Sequence, residues 1–140
     1  MSPPAHRTPI RVYYEDTDAG GIVYYANYLK FAERARSEML RELGFDNPGL
    51  MAQKGVALAV RRVAVDYLRP ARLDDLLTVE TRVLDVKGAS LDLAQAMTRD
   101  GDTLVDMTLK LACISLVGRP ARFPGPMREA LAASGFGAAD

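Results

Sequence analysis

The sequence predicts an α+β fold in which an antiparallel β-sheet curls around one long helix. Near the N-terminus, residues 27–43 have apolar side chains at helical spacing. Four later stretches alternate apolar and polar residues, which is typical of half-buried strands. Because short turns join these stretches, we expect sequential strands to pair as an antiparallel meander. The predicted element order is β-α-β-β-β-β.

The chain is expected to begin with a flexible tail over residues 1–8, which are rich in proline and small polar residues. The stretch IRVYYE, residues 10–15, alternates apolar and polar positions. This alternation predicts a short strand with Ile10, Val12 and Tyr14 on one face. A turn of sequence EDTDAGG follows, in which three acids precede a Gly-Gly pair.

The long helix is expected to start between Ile22 and Asn27 and to end before Gly44, since glycine suits the left-handed conformation that closes helices. Its apolar face consists of Tyr28, Phe31, Ala32, Ala35, Met39 and Leu43. A face this broad needs a sheet or another helix to cover it.

The strands after the helix are predicted at residues 57–68, 76–86, 90–99 and 103–117. The sequence RDGD, residues 99–102, contains an Asp-Gly pair that favours a tight β-hairpin. Residues 118–126 interrupt regular structure, and the stretch MREALAA that follows is expected to form a terminal helical turn or two. Residues 1–140 are therefore expected to form one domain, with 118–140 as a C-terminal extension.

The composition argues against several classes of partner. Lysine and arginine number 18, and so do aspartate and glutamate, so no charge excess favours nucleic acid or an anionic membrane. No apolar run is long enough to span a bilayer, and the N-terminus lacks the apolar segment of a secretory signal. Cys113 is the only cysteine, which excludes an internal disulfide and fits a reducing compartment. We therefore expect a cytoplasmic protein that neither enters membranes nor binds nucleic acid.

Several kinds of catalytic and metal site are also excluded. His6 is the only histidine and lies in the expected tail, so the fold lacks the histidine of a Ser-His-Asp or Cys-His triad and of multi-histidine metal sites. The stretch DTDAGG resembles the start of an EF-hand loop, but Asn27 stands where that loop requires a bidentate glutamate. No Walker or dinucleotide-binding fingerprint is present. We predict no metal and no cofactor.

Asp18 precedes the Gly-Gly pair and the helix, and two interpretations of it are open. It is either a turn residue whose carboxylate accepts hydrogen bonds from nearby backbone N–H groups, or the carboxylate of an active site. Gly20 and Gly21 allow the backbone to approach a ligand closely. Backbone N–H groups near Val23 to Tyr25, at the helix start, can polarise a carbonyl group. A carboxylate beside such N–H groups is sufficient for acyl transfer.

Two segments resemble a known family. The run VYYEDTDAGGIVYYANY, residues 12–28, followed by FxERAR at 31–36, resembles the YbgC-type branch of the 4-hydroxybenzoyl-CoA thioesterase family. The run VDYLxPARLDD, residues 65–75, is also similar to that branch. The resemblance covers roughly residues 9–117. It implies a hotdog fold, acyl-CoA thioesterase activity and an association with the Tol-Pal envelope system.

The resemblance also implies roles for particular residues. Asp18 would attack the thioester or activate water, Tyr14 would line the same site, and the backbone at Val23, Tyr24 and Tyr25 would polarise the thioester carbonyl. This chain departs from the branch at Tyr25, where YbgC-type relatives often have histidine. A phenol is a poor general base at neutral pH, so a tyrosine there would donate a hydrogen bond or position water.

Substrate binding is less evident in the sequence. The CoA phosphates need basic residues at the mouth of the site, although a basic residue is more often a solvated surface charge. The candidates are Arg61, Arg62, Arg69, Arg72 and Lys87. Lys87 ranks first, because the benzoyl branch has basic residues there; Gly20 and Gly21 are expected next to the substrate. The resemblance further implies a homodimer or homotetramer, with acyl carrier protein as a second partner besides acyl-CoA.

Two functions other than thioester hydrolysis are considered for this fold. A non-catalytic acyl-CoA-binding or scaffold protein is favoured by the tyrosine at position 25, whereas a dehydratase of the same fold would need a histidine in its site. Glu33 is either a site residue or an exposed ion-pair partner, and Cys113 is expected to pack in the core. The methionines of the apolar faces line the core or a pocket, namely Met39, Met97 and Met107.

Overall fold

The structure is a computed structural model that describes residues 4–137. Its elements are β1 (His6–Arg11), α1 (Asn27–Glu42), α2 (Asn47–Gly49), β2 (Val56–Tyr67), β3 (Leu76–Val86), β4 (Ser90–Arg99), β5 (Asp102–Ser115) and α3 (Gly125–Ala133). A 3₁₀ turn, Tyr14–Asp16, precedes α1, and a π-helical turn, Leu50–Lys54, continues α2. The predicted α+β class is confirmed, as is the terminal helix predicted from MREALAA.

All strand pairs are antiparallel, and the order in the sheet is β1-β3-β4-β5-β2. The predicted meander is confirmed for β3, β4 and β5 but is wrong for β2, which pairs with β5 instead of β3. Alternation identifies the buried face of a strand but not its neighbour. The loop of residues 68–75 therefore carries the chain from one side of the sheet to the other.

The first strand lies earlier in the chain than predicted. Residues 6–8, expected in the flexible tail, belong to β1, where His6 pairs with Thr81 and Thr8 with Val79; residues 1–3 of that tail lie outside the described residues. Proline at position 9 is tolerated because β1 is an edge strand. The predicted strand over residues 10–15 is wrong beyond Arg11, and Tyr14 is 82 % exposed.

Helix α1 packs its predicted apolar face against the sheet. The side chains of its predicted face are buried apart from the half-buried Leu43, and Gly44 has a φ of 96° just after the helix end. Each large apolar side chain buried in this way contributes about 1.5–3 kcal/mol of transfer free energy. Two buried residues of α1 are not in the predicted face, Leu40 and the charged Arg36.

The core has two apolar clusters along α1. The first surrounds Tyr28 and Phe31 near the helix start. The second lies at the other end, where Met127 and Leu131 of α3 cover Met39. Cys113 and the methionines at 39, 97 and 107 are all buried, so they pack in the core. Within residues 4–137 no helix is both long and apolar enough to cross a membrane.

Candidate functional site

The three acids of the EDTDAGG turn have different environments. Asp16 is buried, and its carboxylate accepts the Tyr13 N–H at 2.8 Å. The backbone oxygen of Asp16 accepts the Tyr24 N–H at 2.9 Å and the Asn27 side-chain amide at 2.8 Å. Asp16 therefore joins the 3₁₀ turn to the start of α1. Glu15 is exposed on that turn.

The carboxylate of Asp18 is exposed at the tip of the turn. Its Oδ1 accepts the Gly20 N–H at 2.8 Å, and its own N–H donates to the Ile22 carbonyl at 2.8 Å. Gly21 closes the turn with a φ of 79°, a conformation that favours glycine. Within residues 4–137 no Lys, Arg or His nitrogen pairs with this carboxylate, and Oδ2 accepts no protein hydrogen bond. One carboxylate oxygen is thus oriented and the other is available.

The backbone N–H groups predicted to polarise a carbonyl are only partly available. The Val23 N–H donates to the Ala71 carbonyl at 2.9 Å, and the Tyr24 N–H donates to Asp16. In this arrangement the Val23 and Tyr24 N–H groups are therefore already engaged, and their role in polarising a carbonyl stays a prediction. The Tyr25 and Ala26 N–H groups have no acceptor within the part of the chain that the structure describes, and no side chain caps α1. The open end of α1 is thus at Tyr25 and Ala26.

A cavity of about 300 Å³ lies beside this open helix end, and we call it the aromatic cavity. It is lined by Ile22, Val23, Tyr25, Tyr28, Tyr67, Leu68, Arg69 and Pro70. The Tyr67 ring contacts the Tyr25 and Tyr28 rings, with centroids 6.2 and 5.7 Å apart, and its hydroxyl donates to the Tyr25 carbonyl at 3.3 Å. Asp18 does not line the cavity, but its backbone N–H donates to the carbonyl of Ile22, a residue of the lining.

Two phenol groups near the cavity, those of Tyr24 and Tyr28, have a raised pKa. Burial raises the pKa of Tyr28, whose hydroxyl oxygen accepts the Ala71 N–H at 3.0 Å. A side-chain hydrogen bond with Tyr25 raises the pKa of Tyr24. Neither Tyr24 nor Tyr28 is therefore suited to act as a general base at neutral pH.

The loop of residues 68–75 forms the second wall of the site. Ala71 accepts the Val23 N–H, and Ile22 forms an isolated β-bridge with Arg72. The loop is anchored in turn by Asp75, whose Oδ2 accepts the Arg72 N–H at 2.8 Å and pairs with Arg99 of β4 at 2.6 Å. Burial opposes ionisation of Asp75, but the hydrogen bonds from Arg72 and Arg99 outweigh it and lower the pKa of this carboxyl group.

Some residues predicted for the site lie elsewhere in this chain. Tyr14 does not line the aromatic cavity. Arg61 lies in a bulge of β2, six residues and about 20 Å from Tyr67. Lys87 follows the far end of β3, about 33 Å along the strand from Leu76.

Two other basic candidates do belong to the site. Arg69 lines the aromatic cavity, and Arg72 forms the bridge with Ile22. The sequence did not single out Tyr28, Tyr67, Asp75 or Arg99 for the site. Three of these four lie in the segments that resemble the thioesterase family, since Tyr28 ends the run of residues 12–28 and Tyr67 and Asp75 lie in VDYLxPARLDD, residues 65–75. Arg99 gave no signal beyond its charge. Within residues 4–137 no three His, Cys, Asp or Glu side chains are grouped so that they could hold a metal ion.

Comparisons with known proteins give one consistent result. Residues 12–131 match the family model described as the thioesterase-like superfamily. The chain is 48% identical over 123 residues to the acyl-CoA thioesterase YbgC of Haemophilus influenzae, covering 87% of this chain and 90% of that protein. It is 32% identical to the long-chain acyl-CoA thioesterase FadM of Escherichia coli, covering 89% and 96%. A crystal structure of a probable thioesterase from Bartonella henselae superposes with a TM-score of 0.83 at 39% identity, covering 86% and 99%.

Proposed function

The chain belongs to the thioesterase-like superfamily, has the hotdog fold and is an acyl-CoA thioester hydrolase, and on this premise we propose that Asp18 is its catalytic carboxylate. The observation that supports this proposal is the environment of the Asp18 side chain. Gly20 orients Oδ1, while Oδ2 is available to a ligand. Of the other acids in the turn, Asp16 is buried and already bonded.

The thioester carbonyl would bind at the open end of α1. The Tyr25 and Ala26 N–H groups are the donors that remain there, and the positive end of the helix dipole adds to their effect. These donors would stabilise the negative charge that develops on the carbonyl oxygen in the transition state. The acyl group would then lie against the aromatic cavity, and the tyrosine at position 25 would contribute its backbone and its ring.

Two chemical routes start from this arrangement. In the first, Asp18 takes a proton from a water molecule as that water attacks the carbonyl carbon. In the second, Oδ2 attacks the carbonyl carbon itself and forms a mixed anhydride that water later hydrolyses. In both, the C–S bond breaks, the CoA thiolate leaves and takes up a proton, and the free acid is released. Rapid quenching followed by intact-protein mass spectrometry distinguishes them, because only the second route adds the acyl mass to Asp18.

The test of the proposal is Asp18→Asn, with Asp74→Asn as the matched control. Asp74 is an exposed acid on the adjacent loop with a φ of 70°, a conformation that asparagine also adopts. We expect Asp18→Asn to lower kcat at least about 100-fold with an unchanged circular dichroism spectrum, and Asp74→Asn to leave kcat unchanged. Equal activity of Asp18→Asn and wild type would refute the catalytic role.

The main alternative is a protein that binds acyl-CoA or acyl carrier protein without hydrolysing it. It is supported by the exposed position of Asp18, which does not line the aromatic cavity, and by the tyrosine at position 25. A panel of short, long and aromatic acyl-CoAs decides between the two. Binding without turnover of any of them would favour the alternative, whereas turnover of one or more supports the enzyme.

The CoA phosphates would be bound by Arg69 and Arg72 from the same chain. Arg69 is more than half exposed, and its one ion pair, to Asp102 at 3.5 Å, is too solvated to neutralise it. We keep Arg61 and Lys87 as candidates only if a second copy of the chain brings them to the site. Gly20 and Gly21 remain proposed substrate contacts because no side chain there blocks the approach of a ligand.

We further propose that the chain forms a homodimer through β2, from which a tetramer could be built. β2 is 12 residues long and pairs only with β5, so within the described residues its other edge has no partner. Its exposed apolar side chains include Val60 and Val63. A long, unpaired apolar edge favours pairing with another strand. A cytoplasmic location is supported by the free thiol of Cys113, whereas acyl carrier protein and the Tol-Pal system rest on the family resemblance.

A further inference from the structure

The aromatic cavity and a second cavity both lie along α1 and β2, and we call the space between this helix and this strand the cleft. Tyr25 and Tyr28, near the start of α1, contact Tyr67 at the end of β2. Leu40, near the end of the helix, and Leu58, near the start of the strand, line the second cavity together. Helix and strand therefore run antiparallel, and the two cavities lie at opposite ends of one cleft.

The second cavity, which we call the Arg36 cavity, has a volume of about 240 Å³. Its lining is apolar on the strand side, with Leu58, Val60 and Leu111, and polar on the helix side, with Glu33, Arg36 and Ser37. The cavity is large enough for the end of an acyl group and offers that group both apolar walls and a cation.

Arg36 is the unusual feature of this cavity, because its side chain is a buried cation without a counter-ion. The residue is 9% exposed, and no Asp or Glu oxygen lies within 4.0 Å of its guanidinium group among residues 4–137. Its Nη1 donates to Gln95 Oε1 at 3.1 Å. Gln95 is fixed in turn, since its Nε2 donates to the Ala32 carbonyl and to Thr81 Oγ1, both at 3.0 Å.

A buried charge is costly unless it is paired, and the guanidinium group has five N–H donors. The nitrogens that Gln95 does not engage have no protein acceptor but keep contact with solvent, which reaches them through the cavity. Glu33 lines the same cavity, but its side chain is exposed and its charge is screened by water. Arg36 is therefore the buried charge at this end of the cleft, with Glu33 as an exposed acid beside it.

We propose that the Arg36 cavity binds a carboxylate at the far end of the acyl group, so that the enzyme accepts CoA half-esters of dicarboxylic acids. This inference rests on the proposed function, which places the thioester at the start of α1. Ala26 and Arg36 are ten residues apart, so about 15 Å of helix separates the two ends of the cleft. A planar carboxylate can accept two parallel N–H bonds from a guanidinium group, which makes it the best complement to this cation.

The test compares CoA half-esters with methyl-ended acyl-CoAs of equal length, such as adipyl with hexanoyl, suberyl with octanoyl and sebacyl with decanoyl. At the length that spans the cleft, we expect kcat/KM for the half-ester to exceed that of its methyl-ended partner at least about tenfold. Arg36→Met should lower kcat/KM for the half-esters to that of their methyl-ended partners, so that the preference is lost. Arg36→Lys, which keeps the charge, should retain part of it.

Two controls make the result specific. Arg41→Met removes an exposed arginine of the same helix that pairs with Glu38, and it should leave the preference unchanged. Calorimetric titration of the wild type with the non-hydrolysable thioether analogues of suberyl-CoA and octanoyl-CoA measures the preference as a ratio of Kd values without turnover. That ratio does not depend on which residue is catalytic, so the two proposals can fail separately.

The proposal is overturned if no half-ester is preferred at any length or if the preference survives Arg36→Met. A gain of equal size with ω-hydroxyoctanoyl-CoA would overturn it too, because a neutral hydroxyl would then be sufficient and the carboxylate would have no special role. Loss of folding in Arg36→Met would leave Arg36→Lys and the wild-type substrate series to decide.

Discussion

Removing the ion pair between Asp75 and Arg99 should loosen the loop of residues 68–75, which supports the turn that carries Asp18. The two side chains are 22% and 29% exposed and 2.6 Å apart, so solvent screens the pair only in part. A hydrogen bond between charged groups contributes about 1.5–3 kcal/mol. We expect Asp75→Asn to lower the free energy of unfolding by about 1.5–2 kcal/mol, since asparagine still provides an acceptor for the Arg72 N–H. For a chain of this length, that loss lowers Tm by about 5–7 °C.

A double-mutant cycle isolates the contribution of the pair. The variants are Asp75→Asn, Arg99→Met and their combination, each unfolded by urea, and the expected coupling free energy is about 1–2 kcal/mol. The pair between Arg69 and Asp102 is the matched control, because its side chains are 62% and 64% exposed and 3.5 Å apart. Its coupling should not exceed about 0.5 kcal/mol. Equal coupling in the two cycles would refute the argument from burial.

The pH dependence gives the same interaction a second test. The pKa of Asp75 is lower in the folded protein than in the unfolded chain, where an aspartate titrates near pH 4. The stabilisation is therefore present above about pH 4 and is lost as pH falls through the lower folded value. In the variant Asp75→Asn this part of the acid dependence should be absent.

We also expect Asp75→Asn to lower kcat by about tenfold. This is less than the loss expected for Asp18→Asn, because the Asp18 carboxylate remains and only its position changes.

Gly21→Ala and Gly118→Ala should each lower the free energy of unfolding by about 1 kcal/mol, because both glycines have a φ near 80°. Only Gly21→Ala should also lower kcat. An equal loss of activity in both variants would contradict the role of the turn. Val63→Asp, on the unpaired edge of β2, should convert the proposed dimer to a species with the mass of one chain in light scattering. Leu84→Asp, an exposed control on β3, should leave that mass unchanged, and a monomeric wild type would rule out the dimer.

The sequence predicts those parts of the fold that depend on local pattern. The bounds of β3 and β4 agree with the alternation of apolar residues, and the Asp-Gly turn is present, with positive φ at Asp100 and Gly101. The partner of β2 could not be predicted in this way. Its pairing with β5 depends on the curvature of the sheet around α1, which no short window of sequence contains.

The same limit applies to the candidate site. The acids, the glycines and the helix start identify the turn, but they do not show which N–H groups remain available. The Val23 N–H donates to the carbonyl of Ala71, a residue 48 positions later. Only the folded chain therefore shows that the N–H groups still available are those of Tyr25 and Ala26. Arg36 was missed for a similar reason. An arginine among polar helix positions is usually solvated, and its burial follows from contact with Gln95 on a distant strand.

The two segments that resemble the thioesterase family are in contact in the structure, and this contact shows what each segment contributes to the candidate site. Three hydrogen bonds join the turn and the helix start to the second segment. They are the bonds Val23–Ala71, Tyr67–Tyr25 and Ala71–Tyr28. None of these involves Asp18 directly. They hold the backbone on either side of the helix start, and so they set where the available N–H groups point relative to the carboxylate. A chain that kept the acidic turn but lost the second segment would retain the proposed catalytic carboxylate and lose the surface proposed to position the thioester in front of it.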